Sequence, residues 1–324
     1  MKAFEYANPT SLKDALGLLG SSWSDANVLA GGTDQISLMK DGIHAPKRVV
    51  NIKNIKELGG IKKAGSNLRI GATVTLDELA GNAMVRGEFP SLVAAARGVG
   101  SPQIMNMGTV GGDLCQRPRC WYFRNGFGLL AMKDGKSLVE NGQNEFHAIF
   151  GGGPAKFVSA SSLGPAFIAL GAKVEIAGAS GKRSVDAASF FKSPASNDDR
   201  EIDLKPNEIV TGVLVPMAKT NDATYEVRVK EGLDWPYATA SVSLKMKGST
   251  VESARVVLGH VGPTPVVAEQ AGSMLAGKSI DESTAAQAGE AAASGAQPLS
   301  GNAYKVQLVK TAVKRALLEA AKRA

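Results

Sequence analysis

Residues 108–124 read GTVGGDLCQRPRCWYFR, a glycine-rich turn that runs into two cysteines and three consecutive aromatic residues. A second glycine-rich turn, LAGGTD, lies upstream at 29–34. Each turn combines bare backbone with a threonine hydroxyl and a carboxylate. Because glycine has no side chain, the backbone N–H groups of such turns can approach an anion without obstruction. The pair therefore predicts a site that grips two linked phosphate groups from opposite sides.

The candidate binding residues fall into two groups, one for each turn. The upstream group is Leu29, Ala30, Gly31, Gly32, Thr33 and Asp34, where an expected strand runs into a helix whose N-terminus favours phosphate. The downstream group is Asn106, Thr109, Gly111, Gly112 and Asp113. Asn106 and Thr109 can bind phosphate or ribose oxygens, and Asp113 can accept from ribose hydroxyls or bond to its own loop. One such turn alone is more often a plain turn, and neither matches the Rossmann or P-loop pattern, but together they predict a bound dinucleotide.

Composition excludes several function classes. The chain has 324 residues and a formal net charge of +7, which predicts two or three domains with a modest, dispersed basic excess. No basic run is interleaved with aromatic residues, so nucleic acid is not an expected partner. No apolar run reaches the roughly 18 residues of a membrane span, and the N-terminus has no signal-peptide core. We expect a cytoplasmic protein, or a periplasmic one only if a partner that carries the signal exports it.

The chain offers few residues for metal binding or catalysis. Cys115 and Cys120 are its two cysteines, too few for the four-ligand sites typical of zinc and iron–sulfur clusters. We predict free thiols and no metal ion. His44, His147 and His260 stand isolated in the sequence, and no Ser/His/Asp set or carboxylate pair suggests a catalytic residue. We therefore expect a bound cofactor to supply the chemistry.

Aromatic residues next to the second turn are candidates for stacking. Trp121, Tyr122 and Phe123 lie between Arg119 and Arg124, a composition that favours contact with a flat ring or with another protein. Trp235 is a further candidate to cover a flat ring. Ordinary core packing is the alternative for the 121–123 run and the preferred interpretation for Trp235, because Trp is mostly buried in folded proteins.

Periodicity and turn residues divide the chain into three parts, which are a small α/β unit at 1–56, a larger second part at 57–217 and an α+β part at 218–324. The expected helices lie at 12–19, 36–39, 76–79, 92–99, 162–170, 266–275, 283–293 and 305–321. The expected strands lie at 28–30, 48–52, 68–75, 173–176, 238–246 and 255–259, and residues 208–215 are expected to close the second part. Residues 125–150 are expected to cross the surface, and 217–222 read as a turn.

The LAGGTD turn, the NMGTVGGD loop at 106–113 and the CWYFR run at 120–124 together resemble the FAD-binding medium subunit of molybdenum hydroxylases. This group includes xanthine dehydrogenase, carbon monoxide dehydrogenase and 4-hydroxybenzoyl-CoA reductase. The resemblance extends to PLSGNAYK at 298–305. It implies an α+β fold with two FAD-binding subdomains of the vanillyl-alcohol-oxidase-like (PCMH) type and a C-terminal domain of the CO dehydrogenase flavoprotein type. FAD would lie between the domains, with its pyrophosphate on 30–34 and 109–113.

The same resemblance implies a heterotrimer. A large subunit would carry the molybdenum cofactor and a small subunit two [2Fe-2S] clusters, from which electrons reach FAD and then NAD, oxygen or another acceptor. Two alternatives remain, a stand-alone flavin-dependent oxidoreductase and a cofactor-free assembly subunit. The first would need a base of its own, and the intact glycine turns argue against the second.

Two departures from the family pattern concern the cofactors. Many relatives carry Asp in a Ser-Asp-Leu-x-Pro segment that helps to hold FAD, whereas SSLGP at 161–165 places Ser162 there. A hydroxyl can still form the hydrogen bond, but the contact loses its charge. Some relatives with the CWYFR run bind a [4Fe-4S] cluster through further cysteines in the following loop. Residues 121–150 contain no cysteine, so we predict that this cluster is absent.

Overall fold

The computed structural model describes residues 1–230 and 234–322 and contains three main sheets, one in each part of the chain. The first is a three-stranded parallel sheet. Its elements are β1 (Glu5–Ala7), α1 (Leu12–Gly17), β2 (Ala26–Leu29), α2 (Gln35–Lys40) and β3 (Arg48–Asn51), in the sheet order β1-β3-β2. Gly32 has a φ of +75°, a left-handed conformation that favours glycine. It turns the chain from β2 into α2.

The second sheet has five antiparallel strands and follows a short 3₁₀ turn at Lys56–Leu58. The elements of this part are β4 (Ile61–Ala64), β5 (Asn67–Gly71), α3 (Leu76–Gly81), α4 (Ala83–Glu88), α5 (Pro90–Gly98), α6 (Pro102–Met107), α7 (Val110–Cys115), α8 (Trp121–Arg124), β6 (Met132–Lys133), β7 (Lys136–Ser137), α9 (Leu163–Ala169), β8 (Lys173–Gly178), β9 (Gly181–Asp186), α10 (Ala187–Phe190) and β10 (Glu208–Pro216). The strand order is β4-β5-β10-β8-β9, and β6 pairs only with β7 in a separate hairpin. The last strand in sequence, β10, therefore lies at the centre of the sheet and closes the unit.

Helices bury the apolar residues of this second sheet. Thr75 begins α3 with a capping box, because its hydroxyl accepts from the Glu78 N–H while the Glu78 carboxylate accepts from the Thr75 N–H. On α5, Leu92, Ala95 and Ala96 are buried at the spacing of one helix face. Helix α9 is buried along its whole length. These helices hold the 108–113 turn against a rigid core.

The third sheet has four antiparallel strands and packs against two long helices. Its elements are β11 (Asn221–Val227), β12 (Ala238–Lys247), β13 (Thr250–Gly259), β14 (Val266–Val267), α11 (Glu269–Ser273), α12 (Glu282–Ala293) and α13 (Tyr304–Ala321), in the sheet order β11-β12-β13-β14. A Cβ at Gly289 on α12 would lie 2.6 Å from the backbone oxygen of Lys310 on α13. The two helices can pack this closely because α12 is rich in small residues.

Most predicted elements are present, and two predictions at the start and middle of the third part are wrong. The turn expected at 217–222 already contains the start of β11 at Asn221. The helix expected at 266–275 begins instead with β14, and α11 spans only Glu269–Ser273. Both errors have one cause, since strand pairing with β12 and β13 overrides local preference. The domain boundaries stay a prediction.

The residues described by the structure include no helix with the length and apolar character needed to cross a membrane.

Candidate functional site

The two glycine turns are in direct backbone contact. Gly31 lies so close to the second turn that a Cβ there would overlap the carbonyl group of Met107 and would lie 3.0 Å from the Gly108 nitrogen. Only glycine permits this approach, since real Cβ contacts are not observed at such distances. The sequence prediction that the turns converge is therefore matched by the fold.

Two clefts adjoin this contact. The first cleft encloses about 980 Å³ and is lined by both turns, by Cys115 and by apolar residues of β10. The second cleft encloses about 960 Å³ and extends toward α5, α9 and Trp235. Thr33, Asp34, Thr109, Gly112 and Gln116 line both clefts. A ligand that crosses the turns could thus place one half in each cleft.

The first turn presents unused hydrogen-bond donors. Within the described part of the chain, no acceptor is found for the backbone N–H groups of Gly31, Gly32 and Thr33, and all three residues line the first cleft. Backbone N–H groups that lack an internal partner are costly unless solvent or a ligand satisfies them. Three consecutive donors at a cleft wall are the arrangement expected for an oxyanion such as phosphate.

The second turn is held rigidly by its own backbone. Thr109 caps α7, since its hydroxyl accepts from the Gly112 N–H at 3.1 Å. Gly111 donates to Ala72 O at 2.8 Å, and a Cβ at Gly111 would lie 2.9 Å from the Ala72 Cβ. Gly112 faces open space apart from the Thr109 hydroxyl. Gly111 thus serves packing, whereas Gly112 exposes bare backbone to both clefts.

Asp113 serves the protein framework. Its carboxylate is buried and accepts from Ser161 Oγ at 2.5 Å, Leu163 N at 3.0 Å and Gln116 Nε2 at 2.9 Å. Burial raises the pKa of Asp113, and these hydrogen bonds oppose the rise. The sequence prediction considered ribose or the loop itself as partners, but the observed partners belong mainly to the segment before α9.

Asp34 ties the first turn to the segment that follows the second. Its Oδ1 pairs with Arg124 at 2.8 Å and Arg119 at 3.1 Å, and its Oδ2 accepts from the Arg117 N–H at 2.8 Å. Bonds between charged groups in a site that excludes water are stronger than neutral ones. The carboxylate of Asp34 therefore fixes the position of both turns.

A group of ion pairs surrounds the clefts. The arginines are Arg117, Arg119, Arg124 and Arg200, and the paired carboxylates are Asp34 and Glu201. Arg117 bonds Glu201 at 2.5 Å, and the Arg200 guanidinium lies 4.1 Å over the Trp23 ring. Burial lowers the pKa of Arg117 to about 10, which still leaves it charged. The residues that line the first and second clefts include as many carboxylates as guanidinium groups, namely Asp34, Asp113, Glu208 and Asp234 against Arg117, Arg119, Arg200 and Arg228.

His44 belongs to this cluster, and the prediction that it is isolated is wrong. Its Nε2 lies 3.1 Å from the Arg117 guanidinium, which can only donate, so the proton of the neutral ring lies on Nδ1 and is donated to Gln35 Oε1 at 3.0 Å. Burial, assisted by the Arg117 and Arg200 charges, lowers the pKa of His44 to about 3. The ring is therefore neutral and adds no charge to the first cleft.

The structure brings most predicted site residues to the clefts. Those that line the first or second cleft are Ala30, Gly31, Gly32, Thr33, Asp34, Thr109, Gly111, Gly112, Asp113 and Ser162. Leu29 and Asn106 line neither cleft. Asn106 is exposed on α6 and its side chain donates to Pro102 O at 2.8 Å. The geometry thus gives no support to a contact through Asn106.

Sequence reasoning missed several residues that line the clefts. Gln116 lines both, and its position beside the second turn could have identified it. Arg228 lines the second cleft with Glu226 as its ion-pair partner. Burial raises the pKa of Glu226 to about 7. No local pattern marks Arg228, because β11 brings it to the cleft from another part of the chain.

A third cavity, the aromatic cleft, adjoins the second cleft. It encloses about 830 Å³, and Arg119, Ala160 and Trp235 are among the residues that line both. Trp235 is 40% exposed, with the Arg119 guanidinium 4.6 Å over its ring. The prediction that Trp235 is packed in the core is therefore wrong.

Two further histidines that seemed isolated have partners in or beside this cavity. Cys120 Sγ lies 3.2 Å from His147 Nε2, and His260 Nδ1 lies 2.9 Å from Thr239 Oγ1. Burial lowers the pKa of His147 to about 4 and that of His260 to about 3.

Cys115 and Cys120 are free, and burial raises the pKa of both, to about 12 for Cys115. Within residues 1–230 and 234–322, no group of three or more His, Cys, Asp or Glu side chains could hold a metal ion.

Comparison with known proteins identifies the family. Residues 2–218 match the model for the FAD-binding domain in molybdopterin dehydrogenases, and residues 223–320 match the C-terminal domain of the CO dehydrogenase flavoprotein. The chain belongs to the molybdopterin dehydrogenase FAD-binding family. The predicted resemblance, the fold class and the FAD cofactor are confirmed.

Relatives of this flavoprotein family align over nearly the full chain. The carbon monoxide dehydrogenase medium chain of Hydrogenophaga pseudoflava is 30% identical, over 97% of this chain and 96% of the relative. The xanthine dehydrogenase FAD-binding subunit of Escherichia coli O157:H7 is 24% identical, over 97% and 95%. Among solved structures, quinoline 2-oxidoreductase from Pseudomonas putida 86 superposes with a TM-score of 0.79 at 27% identity, and the alignment covers 100% of this chain and 99% of that chain.

Proposed function

We propose that this flavoprotein is the medium subunit of a heteromeric molybdenum hydroxylase and that it carries FAD for electron transfer. The observation that carries the proposal is the contact of Gly31 with the Met107 backbone, which joins two glycine turns between two clefts. The unused N–H donors at this junction match the chemistry of a diphosphate.

We infer how the chain holds the cofactor from the same geometry. The N–H groups of Gly31, Gly32 and Thr33 would bind one face of the diphosphate. The Thr109 hydroxyl would donate to the other face, where Gly112 leaves room because it has no side chain. The two ends of the cofactor would extend into the first and second clefts, and Ser162 would offer its hydroxyl in the second. When bound, FAD accepts and passes on electrons, and the chain binds it, orients it and excludes water.

The partners follow from the relatives. They include a carbon monoxide dehydrogenase medium chain and a xanthine dehydrogenase FAD-binding subunit. One solved relative is a carbon monoxide dehydrogenase that lacks the molybdenum–pyranopterin moiety of its molybdenum cofactor. We infer a large subunit with a molybdenum cofactor, a small subunit with [2Fe-2S] clusters, and NAD, oxygen or another final acceptor. We also propose a cytoplasmic location, which suits the free thiols of Cys115 and Cys120.

The proposal is tested by measuring flavin, iron and molybdenum in the purified complex and FAD content in two variants. Gly112→Leu places a side chain in the path of the cofactor. Gly87→Leu adds the same side chain where a Cβ would meet nothing within 4 Å. The wild type and Gly87→Leu should retain about one FAD per chain, whereas Gly112→Leu should lose most of it. Equal FAD content in both variants, with matching thermal stability, would contradict the assigned site.

A further inference from the structure

One guanidinium group in the second cleft is only partly engaged by the protein. Arg228 directly follows β11 and lines the second cleft, and its Nη2 donates to Glu226 Oε2. Among the residues that the structure describes, none accepts from Nε or Nη1 of Arg228. Neither of these nitrogen atoms is among the polar atoms that are shielded from solvent and lack a partner. Both nitrogens can therefore reach a ligand in the cleft that Arg228 lines.

Arg119 also lines the second cleft, but its guanidinium is already occupied. It pairs with Asp34 at 3.1 Å and donates to Gln116 Oε1 at 3.2 Å. It also stacks on the Trp235 ring, and its Nε is shielded from solvent. Of the two arginines that line the second cleft, Arg228 therefore has more donors available to a ligand.

Glu226 fixes the position of Arg228 without lining the cleft itself. The two side chains form a buried ion pair, with exposed fractions of 8% for Glu226 and 12% for Arg228. A Cβ at Gly98, the last residue of α5, would lie 2.5 Å from Arg228 Nη2 and 3.0 Å from Glu226 Cδ. The pair therefore packs directly on the C-terminus of α5, where a cation is favourable. Glu226 can act on a ligand in the second cleft only through Arg228.

The carboxyl group of Glu226 can change its charge near neutral pH. Burial raises the pKa of Glu226 to about 7, and the charge of Asp113 adds to the rise, whereas Arg228 and Ser162 oppose it. Within the described part of the chain, Glu226 Oε1 is shielded from solvent and has no hydrogen-bond partner, which disfavours the charged form. Above this pKa the ion pair has no net charge. Below it, the Glu226 carboxyl is neutral and the charge of Arg228 is no longer offset.

The other charged groups around this ion pair are not bonded to it. The further charged residues that line the second cleft are Asp34, Asp113, Arg119 and Asp234. Among the described residues, none of these four forms a hydrogen bond or ion pair with Glu226 or Arg228. From the third part of the chain, His260 faces Arg228, and burial together with nearby positive charge lowers the pKa of His260 to about 3. Glu226 is therefore the carboxyl group that directly offsets the charge of Arg228.

We propose that Glu226 is a positioning residue for the flavin ring of FAD, because it holds Arg228 toward that ring in the second cleft and offsets the charge of Arg228. The inference rests on the proposed function. The exposed ring of Trp235, which lines the same cleft, offers a flat surface beside this position. Charge next to a flavin ring tunes its electronic properties, and a cation favours the reduced form, which is the more negative one. Glu226 weakens this effect of Arg228 when its carboxylate is charged.

The test is the midpoint potential of FAD bound to the full chain, measured at saturating FAD. Arg228→Met removes the cation, so the affinity for reduced relative to oxidised FAD should fall about tenfold, which lowers the potential by about 30 mV for a two-electron couple. Glu226→Gln keeps the shape and an acceptor for Arg228 but removes the negative charge. It should raise the same ratio about tenfold, and with it the potential. Arg228→Lys keeps a cation and should change the ratio less than about threefold.

The dependence on pH separates an effect of charge from a loss of structure. The difference in potential between Glu226→Gln and the wild type should be largest at about pH 8.5, where the carboxylate is charged. It should shrink toward about pH 6, where the protonated wild type resembles the variant. Glu252→Gln makes the same change in an exposed pair with Lys245 and should leave the potential unchanged at both pH values. Thermal unfolding of each FAD-free variant shows whether it is folded.

Three outcomes would overturn the inference. They are shifts of the potential in the same direction in Arg228→Met and Glu226→Gln, wild-type potentials in both variants, and a shift in Glu226→Gln that is the same at both pH values. The FAD content of each sample is measured separately by absorbance. A wild-type chain that binds no FAD would contradict the proposed function, whereas a chain that binds FAD but shows any of these three outcomes would contradict only the role of Glu226.

Discussion

The contact between the glycine turns predicts a large effect from a single added methyl group. In Gly31→Ala, the new Cβ would lie 2.5 Å from the Met107 carbonyl carbon and 3.0 Å from the Gly108 nitrogen. Carbon atoms pack best at about 3.5–4.0 Å, and the Met107 carbonyl oxygen lies closer still to the new Cβ, so the turns must separate by more than about 1 Å. Overpacking of this kind costs about 1–3 kcal/mol. Because both turns bind the same diphosphate in the proposed site, we expect FAD affinity to fall about 5- to 150-fold.

The assay is a titration of the FAD-free chain with FAD, followed by flavin fluorescence, with thermal unfolding of the FAD-free chain measured in parallel. Gly17→Ala is the matched control, because it adds the same methyl group where nothing lies within 4 Å. Gly31→Ala should also lower Tm in the absence of FAD, since the strain lies within the protein. If Gly31→Ala and Gly17→Ala bind FAD equally well at the same Tm, the turns do not act together and the reasoning is refuted.

Three further predictions concern the groups around the clefts. Asp34→Asn removes the anion shared by Arg119 and Arg124 and should destabilise the chain by about 3 kcal/mol, as thermal unfolding would show, whereas Glu252→Gln breaks an exposed pair and should change Tm little. His44 has a folded-state pKa of about 3 against 6.5 when unfolded, so the stability it contributes is present above pH 6.5 and is lost as pH falls. In His44→Gln, the fall in the free energy of unfolding with decreasing pH should be shallower by up to about 1.4 kcal/mol per pH unit. Thermal unfolding measured from pH 7 to 5 would show this, and a slope equal to that of the wild type would contradict it. Lys305→Met leaves the carbonyl oxygens of Phe146 and His260 without their Lys305 donor, whereas that of His147 keeps Asn302 Nδ2. It should lower Tm more than Lys314→Met, which removes a partly exposed cation paired with Glu282; equal values would contradict a structural role for Lys305.

The roles of the acidic residues show where prediction from sequence stopped. Asp34 and Asp113 were both assigned to the cofactor because each follows a glycine turn. In the fold, Asp34 pairs with Arg119 and Arg124, and Asp113 accepts from Ser161 and Leu163. Those partners are distant in sequence, so no local pattern reveals that the carboxylates are already engaged.

The secondary structure shows the same division. Helices α5, α12 and α13 were predicted because their apolar spacing is a local property. The short strand β14 was mistaken for helix, because two valines carry little periodicity and their pairing with β13 is decided elsewhere in the chain. The partners of the three histidines could not be predicted either. Arg117, Cys120 and Thr239 come close to these histidines only when the chain is folded.

The sequence by itself determined the two glycine turns, the family and the cofactor, since turn chemistry depends on residues that are neighbours in the chain. Only the tertiary structure decided that Gly31 touches Met107, that two clefts adjoin the turns and that the carboxylates of Asp34 and Asp113 are already engaged. The physical reason is that contacts between distant segments depend on how sheets and helices pack, and a strand such as β10, last in its unit, takes its central place only when the whole unit has formed.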